Sequence, residues 1–156
     1  MSTIKVDTIQ SRQHSSSTIN LTNSVDLSGL LKEGVKITNG KLSANTNIDL
    51  EDGMVHYFTT NETATATPNI RFSGSVSLDS SMSVGDTISV TIISATNSSS
   101  YFYDQLTIDG AAVTENWVGG SAPSDGGSSG VDIYSYTIIK TASGIFTVIA
   151  NQTKTS

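Results

Sequence analysis

Histidine, carboxylate and serine side chains are where chemistry would have to come from in this 156-residue chain, and their spacing supports little of it. The two histidines stand far apart, His14 in a serine-rich stretch and His56 in step with Met54 and Phe58 on a strand. Neither belongs to a His-x-His or His-Glu-x-x-His pair, the spacings that place two imidazoles on one metal. His56 is therefore expected to be a packed or surface strand residue. Serine is abundant, but none is expected to be lifted on the Gly-x-Ser-x-Gly elbow that presents a nucleophile. Asp49, Glu51 and Asp52 crowd beside Gly53. Hard oxygen ligands in a tight turn suit calcium, yet the acidic repeat of an EF-hand loop is missing, and a solvated turn before a strand explains the cluster equally well. No catalytic residue, resident metal or cofactor is expected.

Aromatic side chains remain as candidates for contact. Tyr101, Phe102 and Tyr103 form a cluster, and Trp117, Tyr134 and Tyr136 follow. Such rings suit a carbohydrate or protein surface, but they also fill cores. Trp117 is expected in the core. Tyr101 and Tyr103 stand between the two readings. With Ser121 and Asp125, from the loop 119–130, they are the candidate surface-recognition residues.

Composition bounds the class of protein that must position these groups. Hydrophobic residues at 36% and charged residues at 14% are both low, the balance being Ser, Thr, Asn and Gly. A net charge of −6 is small for a disordered chain of this length, so a folded, hydroxyl-rich all-β protein is expected. The charge divides unevenly, with five basic and three acidic residues in 1–41 and three basic and eleven acidic in 42–156. An acidic body disfavours nucleic acid, which needs Lys and Arg to displace counterions. Cysteine is absent, which rules out disulfides and thiolate sites. No apolar run is long enough to span a membrane, and Met1–Gln10 lacks a signal-peptide core.

The strongest strand is Gly85–Thr96. Ile88, Val90 and Ile92 share one face, and Thr87, Ser89 and Thr91 share the other. Ile93 and Ala95 then switch parity, as at a bulge or where both faces are covered. Further strands are expected at 54–60, 69–72, 131–140 and 145–151. Asp109-Gly110 should turn a hairpin within 105–113, and Asn39-Gly40 should turn another between Val35–Ile37 and Lys41–Leu42. Strands at this spacing with no convincing helix imply a β-sandwich or jelly-roll body over 46–156. Residues 1–45 read as an extended arm of short fragments, with 18–22 as a brief strand and 25–32 as one helical turn or a strand. In the arm, Ile4, Val6 and Ile9 form an apolar group that needs a partner from another chain.

The opening Ser2-Thr3-Ile4-Lys5-Val6-Asp7-Thr8-Ile9-Gln10 resembles the N-termini of tail-fibre-like virion proteins of marine tailed phages, notably cyanophages. From Val55-His56-Tyr57-Phe58-Thr59-Thr60-Asn61 through Met82-Ser83-Val84-Gly85-Asp86 to Asp109-Gly110, the body is similar to a domain recurring in those virions. So are Trp117-Val118-Gly119-Gly120-Ser121-Ala122-Pro123, Val131-Asp132-Ile133-Tyr134, Tyr136 and Ile138-Ile139-Lys140-Thr141-Ala142. The resemblance implies a non-enzymatic virion protein, assembled in the host cytoplasm. A homotrimeric short tail fibre anchored by its arm to other virion proteins is favoured over a capsid decoration protein. A module for host-surface glycans is the rival of another class. A depolymerase would need paired carboxylates on a longer scaffold.

The strand 85–96 gives a direct test. Val90→Ala or Ile92→Ala should cost on the order of 1–4 kcal/mol through lost burial and a residual cavity, whereas Ser89→Ala and Thr91→Ala should cost much less. Urea unfolding measures each; equal losses at Thr91 and Ile92 would mean that the buried face is misassigned.

Overall fold

The first six described strands of this chain alternate between two sheets. A computed structural model describes residues 28–156, of which Glu33–Ser156 form one compact unit. The strands are β1 (Val35–Thr38), β2 (Asn47–Asp49), β3 (Val55–Phe58), β4 (Asn69–Arg71), β5 (Thr87–Thr96), β6 (Thr107–Ile108), β7 (Ala111–Ala112), β8 (Glu115–Trp117), β9 (Gly130–Ala142) and β10 (Ile145–Lys154). One helical turn, α1 (Leu78–Ser81), precedes β5. The six-stranded sheet runs β1-β3-β5-β9-β10-β8, and the four-stranded sheet runs β2-β4-β6-β7.

From β1 to β6 the chain visits the large sheet and the small sheet in turn, and each return lies parallel to the strand before it. Parallel neighbours cannot be joined by a tight turn. Here each crossover is a strand of the opposite sheet, so the first half of the body is wound in coils, as in a solenoid. The wholly antiparallel pairing of a jelly roll is not what forms. Antiparallel pairing enters later, where β9 runs against β5 over ten residue pairs and folds back on β10 through the turn at Gly144.

Parallel register stacks like on like. Asn47, Asn69 and Thr107 are successive partners, and so are Ile48, Ile70 and Ile108. The three isoleucines are fully buried. Outside them the Asn69 amide donates to Asn47 Oδ1 (2.8 Å), and Asn69 Oδ1 accepts from the Thr107 hydroxyl (3.0 Å) and the Gly110 N–H (2.8 Å). Apolar side chains of both sheets share one core, with Leu42, Phe58, Val90, Ile92, Tyr103, Tyr134, Tyr136 and Ile138 in it.

Several expectations hold. In β5, Val90 and Ile92 are buried while Ser89 is exposed. Its last three residues are buried in succession without a break in register, so covering of both faces explains the parity change. Asp109 (φ 52°) and Gly110 (φ 79°) make the two-residue turn between β6 and β7, both in the left-handed region that such a hairpin demands. Asp109 has a second use: its carboxylate accepts from the N–H groups of Leu78 (2.7 Å) and Asp79 (3.0 Å), capping α1 together with Ser77. Lys140 closes the other end, reaching Asp79 Oδ1 (2.8 Å) and the Met82 carbonyl (2.9 Å). Four residues are too few for helical periodicity to announce α1.

Other expectations fail for stated reasons. The Asn39-Gly40 hairpin does not form: β1 pairs in parallel with β3, and the chain turns into a 3-10 turn at Leu42–Ala44 that buries Leu42 in the core. Residues 35–44 therefore belong to the body, which begins at Glu33 rather than at 46. Ser28–Lys32 carry no strand or helix, and Leu30 and Leu31 are exposed. The expected strand at 18–22 and the apolar group of Ile4, Val6 and Ile9 lie outside the described residues. Trp117 ends a strand, β8, which joins the large sheet in parallel with β10.

The ladder residue Asn69 offers a sharp test. Asn69→Ala removes the acceptor of two donors and the donor to Asn47, and should lower stability by roughly 1–3 kcal/mol. Asn47→Ala, at the end of the stack, should cost less. Urea midpoints decide; a larger loss at Asn47 would show that the ladder does not govern this sheet.

Candidate functional site

The residues singled out for recognition separate in the structure. Tyr103 is 1% exposed, so its assignment as a surface-recognition residue is corrected: its ring packs on Tyr134 with centroids 4.6 Å apart. Its hydroxyl donates to Glu62 Oε1 (2.6 Å) and lies 2.8 Å from the Ser94 hydroxyl. Glu62 is buried too and also accepts from the Leu42 N–H (2.7 Å), so it pins the 3-10 turn against β5. Burial and the neighbouring Glu62 carboxylate hold the Tyr103 phenol far above its ordinary range. Sequence reasoning missed Glu62, since a lone Glu in Asn61-Glu62-Thr63 looks like a solvated loop residue; nothing local marks it.

Tyr101 is half-buried. Ser121 and Asp125 are exposed on the loop 119–130, and Asp125 pairs with Lys154 (2.8 Å). The rest of that loop is tied down, contrary to the look of a spacer. Gly127 donates to both oxygens of buried Asp132 (3.0 Å each), and a side chain at Gly126 or Gly127 would run into that carboxylate. Burial raises the Asp132 carboxyl, although the Gly127 N–H opposes it. Ile4, Val6, Ile9 and His14 lie outside the described residues.

The carboxylate cluster resolves into ion pairs. Asp49 meets Arg71 (2.5 Å) and Asp52 meets Lys36 (2.9 Å), which leaves Glu51 alone of the three. Among the described residues no three His, Cys, Asp or Glu side chains converge on one point. Gly126-Gly127-Ser128-Ser129-Gly130 does carry the letters of a nucleophile elbow, contrary to expectation. It leads from a loop into β9 rather than from a strand into a helix, so Ser128 is not held at the strained apex that the motif requires. His56 is packed, as expected: 3% exposed, with Nε2 3.0 Å from the Gly53 carbonyl, which assigns the proton to that nitrogen. Burial lowers its pKa, against the pull of the Gly53 carbonyl and Asp52.

Two surface features remain. One is a groove of about 630 Å³ walled by the start of β8 and the segments 104–105 and 120–122. Among the residues that line it are Asp104, Gln105, Glu115, Asn116, Trp117 and Ser121. Trp117 is half-buried and packs edge-on to Tyr136 with centroids 6.3 Å apart. The other feature is β1. Among the described residues it pairs only with β3, and it bears Val35 and Ile37, the latter 66% exposed. Comparison of the chain with protein families, with curated proteins and with solved structures gives no match in any of the three.

His56 makes stability depend on pH with a definite sign. A lowered native pKa means that the unfolded chain binds more protons between the unfolded value, about 6.5, and the native one. Stability should therefore fall as pH drops through that window and level off below it. His56→Gln should remove this component, and the difference between the two proteins isolates it from Asp132, whose raised pKa acts with the opposite sign. Parallel urea midpoints for the two proteins from about pH 7 to 5 would refute the assignment.

Proposed function

We propose that the chain is a non-enzymatic structural component of a tailed-phage virion: a short tail-fibre or tail-associated protein that assembles as a homotrimer and displays a β-sandwich body. The observation that carries the assembly part is β1. An edge strand that has a neighbour on one side only among the described residues, with exposed Val35 and Ile37, is a template for another strand. A second copy of the chain is the partner that a symmetric oligomer supplies. The resemblance of residues 1–10 and 54–151 to virion proteins supplies the particle. The carboxylates of the 49–52 turn, two of them neutralised by cations, and a hydroxyl-rich acidic surface suit display rather than catalysis.

Mass in solution tests the assembly. The full chain should run at about three times its 16.3 kDa, and Ile37→Lys, which places a charge on the free edge, should shift it to the single-chain mass. A single-chain mass for the unsubstituted protein sinks the trimer. Antibody labelling of purified particles tests the location. Label on the tail is the expected result, label on the shell turns the reading to capsid decoration, and no label overturns the virion role.

A further inference from the structure

We propose that the groove between β8 and the segments 104–105 and 120–122 is a binding site for a neutral saccharide. Its volume of about 630 Å³ falls within the roughly 300–1,000 Å³ of small-ligand sites, which admits one or two sugar rings. Among the described residues its lining carries no Lys, Arg or His. Asp104 and Glu115 make it negative, and among the described residues no donor reaches Glu115 Oε1, so that charge is not neutralised within the wall. The same charge helps burial and Tyr134 to raise the Tyr136 phenol beyond its ordinary range. Phosphates, nucleic acids and sulfated glycans are therefore repelled.

What remains attractive is a ring bearing many hydroxyl groups. Gln105, Asn116 and Ser121 offer amide and hydroxyl groups that both donate and accept, and Trp117 offers an indole surface to the C–H face of a sugar. Asn116 is set in advance: its Nδ2 donates to the Val148 carbonyl (2.9 Å), which leaves the carbonyl end of the amide for a ligand. It stands on β8, held in register against β10 (Ile149 opposite Asn116). Side chains placed on strands hold their geometry better than those on loops. Neutral polar groups outnumber the two carboxylates among these residues, which favours a sugar over a basic peptide.

The chain has a single tryptophan, so the site carries its own reporter. Full-length protein is titrated with glucose, galactose, mannose, N-acetylglucosamine and their β1,4-linked dimers, followed by calorimetry and by Trp117 emission, with oligolysine and heparin fragments alongside. At least one neutral sugar should give saturable heat and a saturable emission change. Exposed Asp104 and Gln105, both changed to alanine, should weaken binding by about fivefold or more while the urea midpoint stays put. Absence of heat with every neutral sugar overturns the proposal, as does sugar binding that the double variant does not alter. Binding of oligolysine alone also overturns it and assigns the groove to a basic peptide. The inference does not depend on the assembly role. A trimer that binds no sugar sinks this proposal only, and a single chain that binds sugar sinks the trimer only.

Discussion

Parallel neighbours in a sheet must be joined by a crossover, and this constraint shapes everything from β1 to β6. The chain meets it by passing through the opposite sheet each time, so β1, β3 and β5 stack in one layer while β2, β4 and β6 stack in the other. Each rung then sets a side chain on its counterpart one coil away. Buried isoleucine meets isoleucine at Ile48, Ile70 and Ile108, and amide meets amide at Asn47 and Asn69. The winding explains why so polar a chain folds. Polar residues such as Asn47, Asn69 and Thr107 serve as ladder partners rather than as uncompensated cost, each bonded to its counterpart in the next coil.

A stack of coils has ends, and the two ends are treated differently. At one end the long antiparallel pairings of β5, β9 and β10 cover the last parallel strand, and β8 completes the sheet. At the other, β1 is the outermost strand among the described residues. Repetitive folds need such ends capped. The groove proposed for a saccharide lies at the opposite outer strand, β8. The strand proposed for assembly and the groove proposed for a saccharide lie at opposite borders of the same sheet.

Buried charge is confined to places where it joins elements that the sheets alone would leave loose. Glu62 ties the 3-10 turn after β1 to Tyr103 and Ser94. Asp132 ties the 119–130 loop to β9, and Lys140 ties α1 to the same strand. Glu62 and Lys140 bond backbone atoms distant in sequence, and Asp132 bonds the N–H of Gly127 five residues before it. Removing one would free a segment rather than merely weaken a core.

Features that depend on a few consecutive residues were legible in the sequence. The period of two in Thr87–Thr96 reflects the pleat itself, and Asp109-Gly110 announces a hairpin because those two residues tolerate positive φ. The strands β9 and β10, three residues apart at their near ends, find each other without help from the rest of the chain. The parallel neighbours were hidden, although a recurring triplet, Asn47-Ile48-Asp49, Asn69-Ile70-Arg71 and Thr107-Ile108-Asp109, was there to suggest them. No turn chemistry joins such partners, and only closure of the whole coil brings them together. The same holds for Tyr103, whose inward position is set by Glu62, 41 residues earlier, and for the groove, whose walls come from three separate segments. Local backbone preference determined the strands and the tight turns. Which strands became neighbours, and so which side chains faced solvent, was decided by the tertiary structure, because a buried polar group must find a partner wherever in the chain it lies.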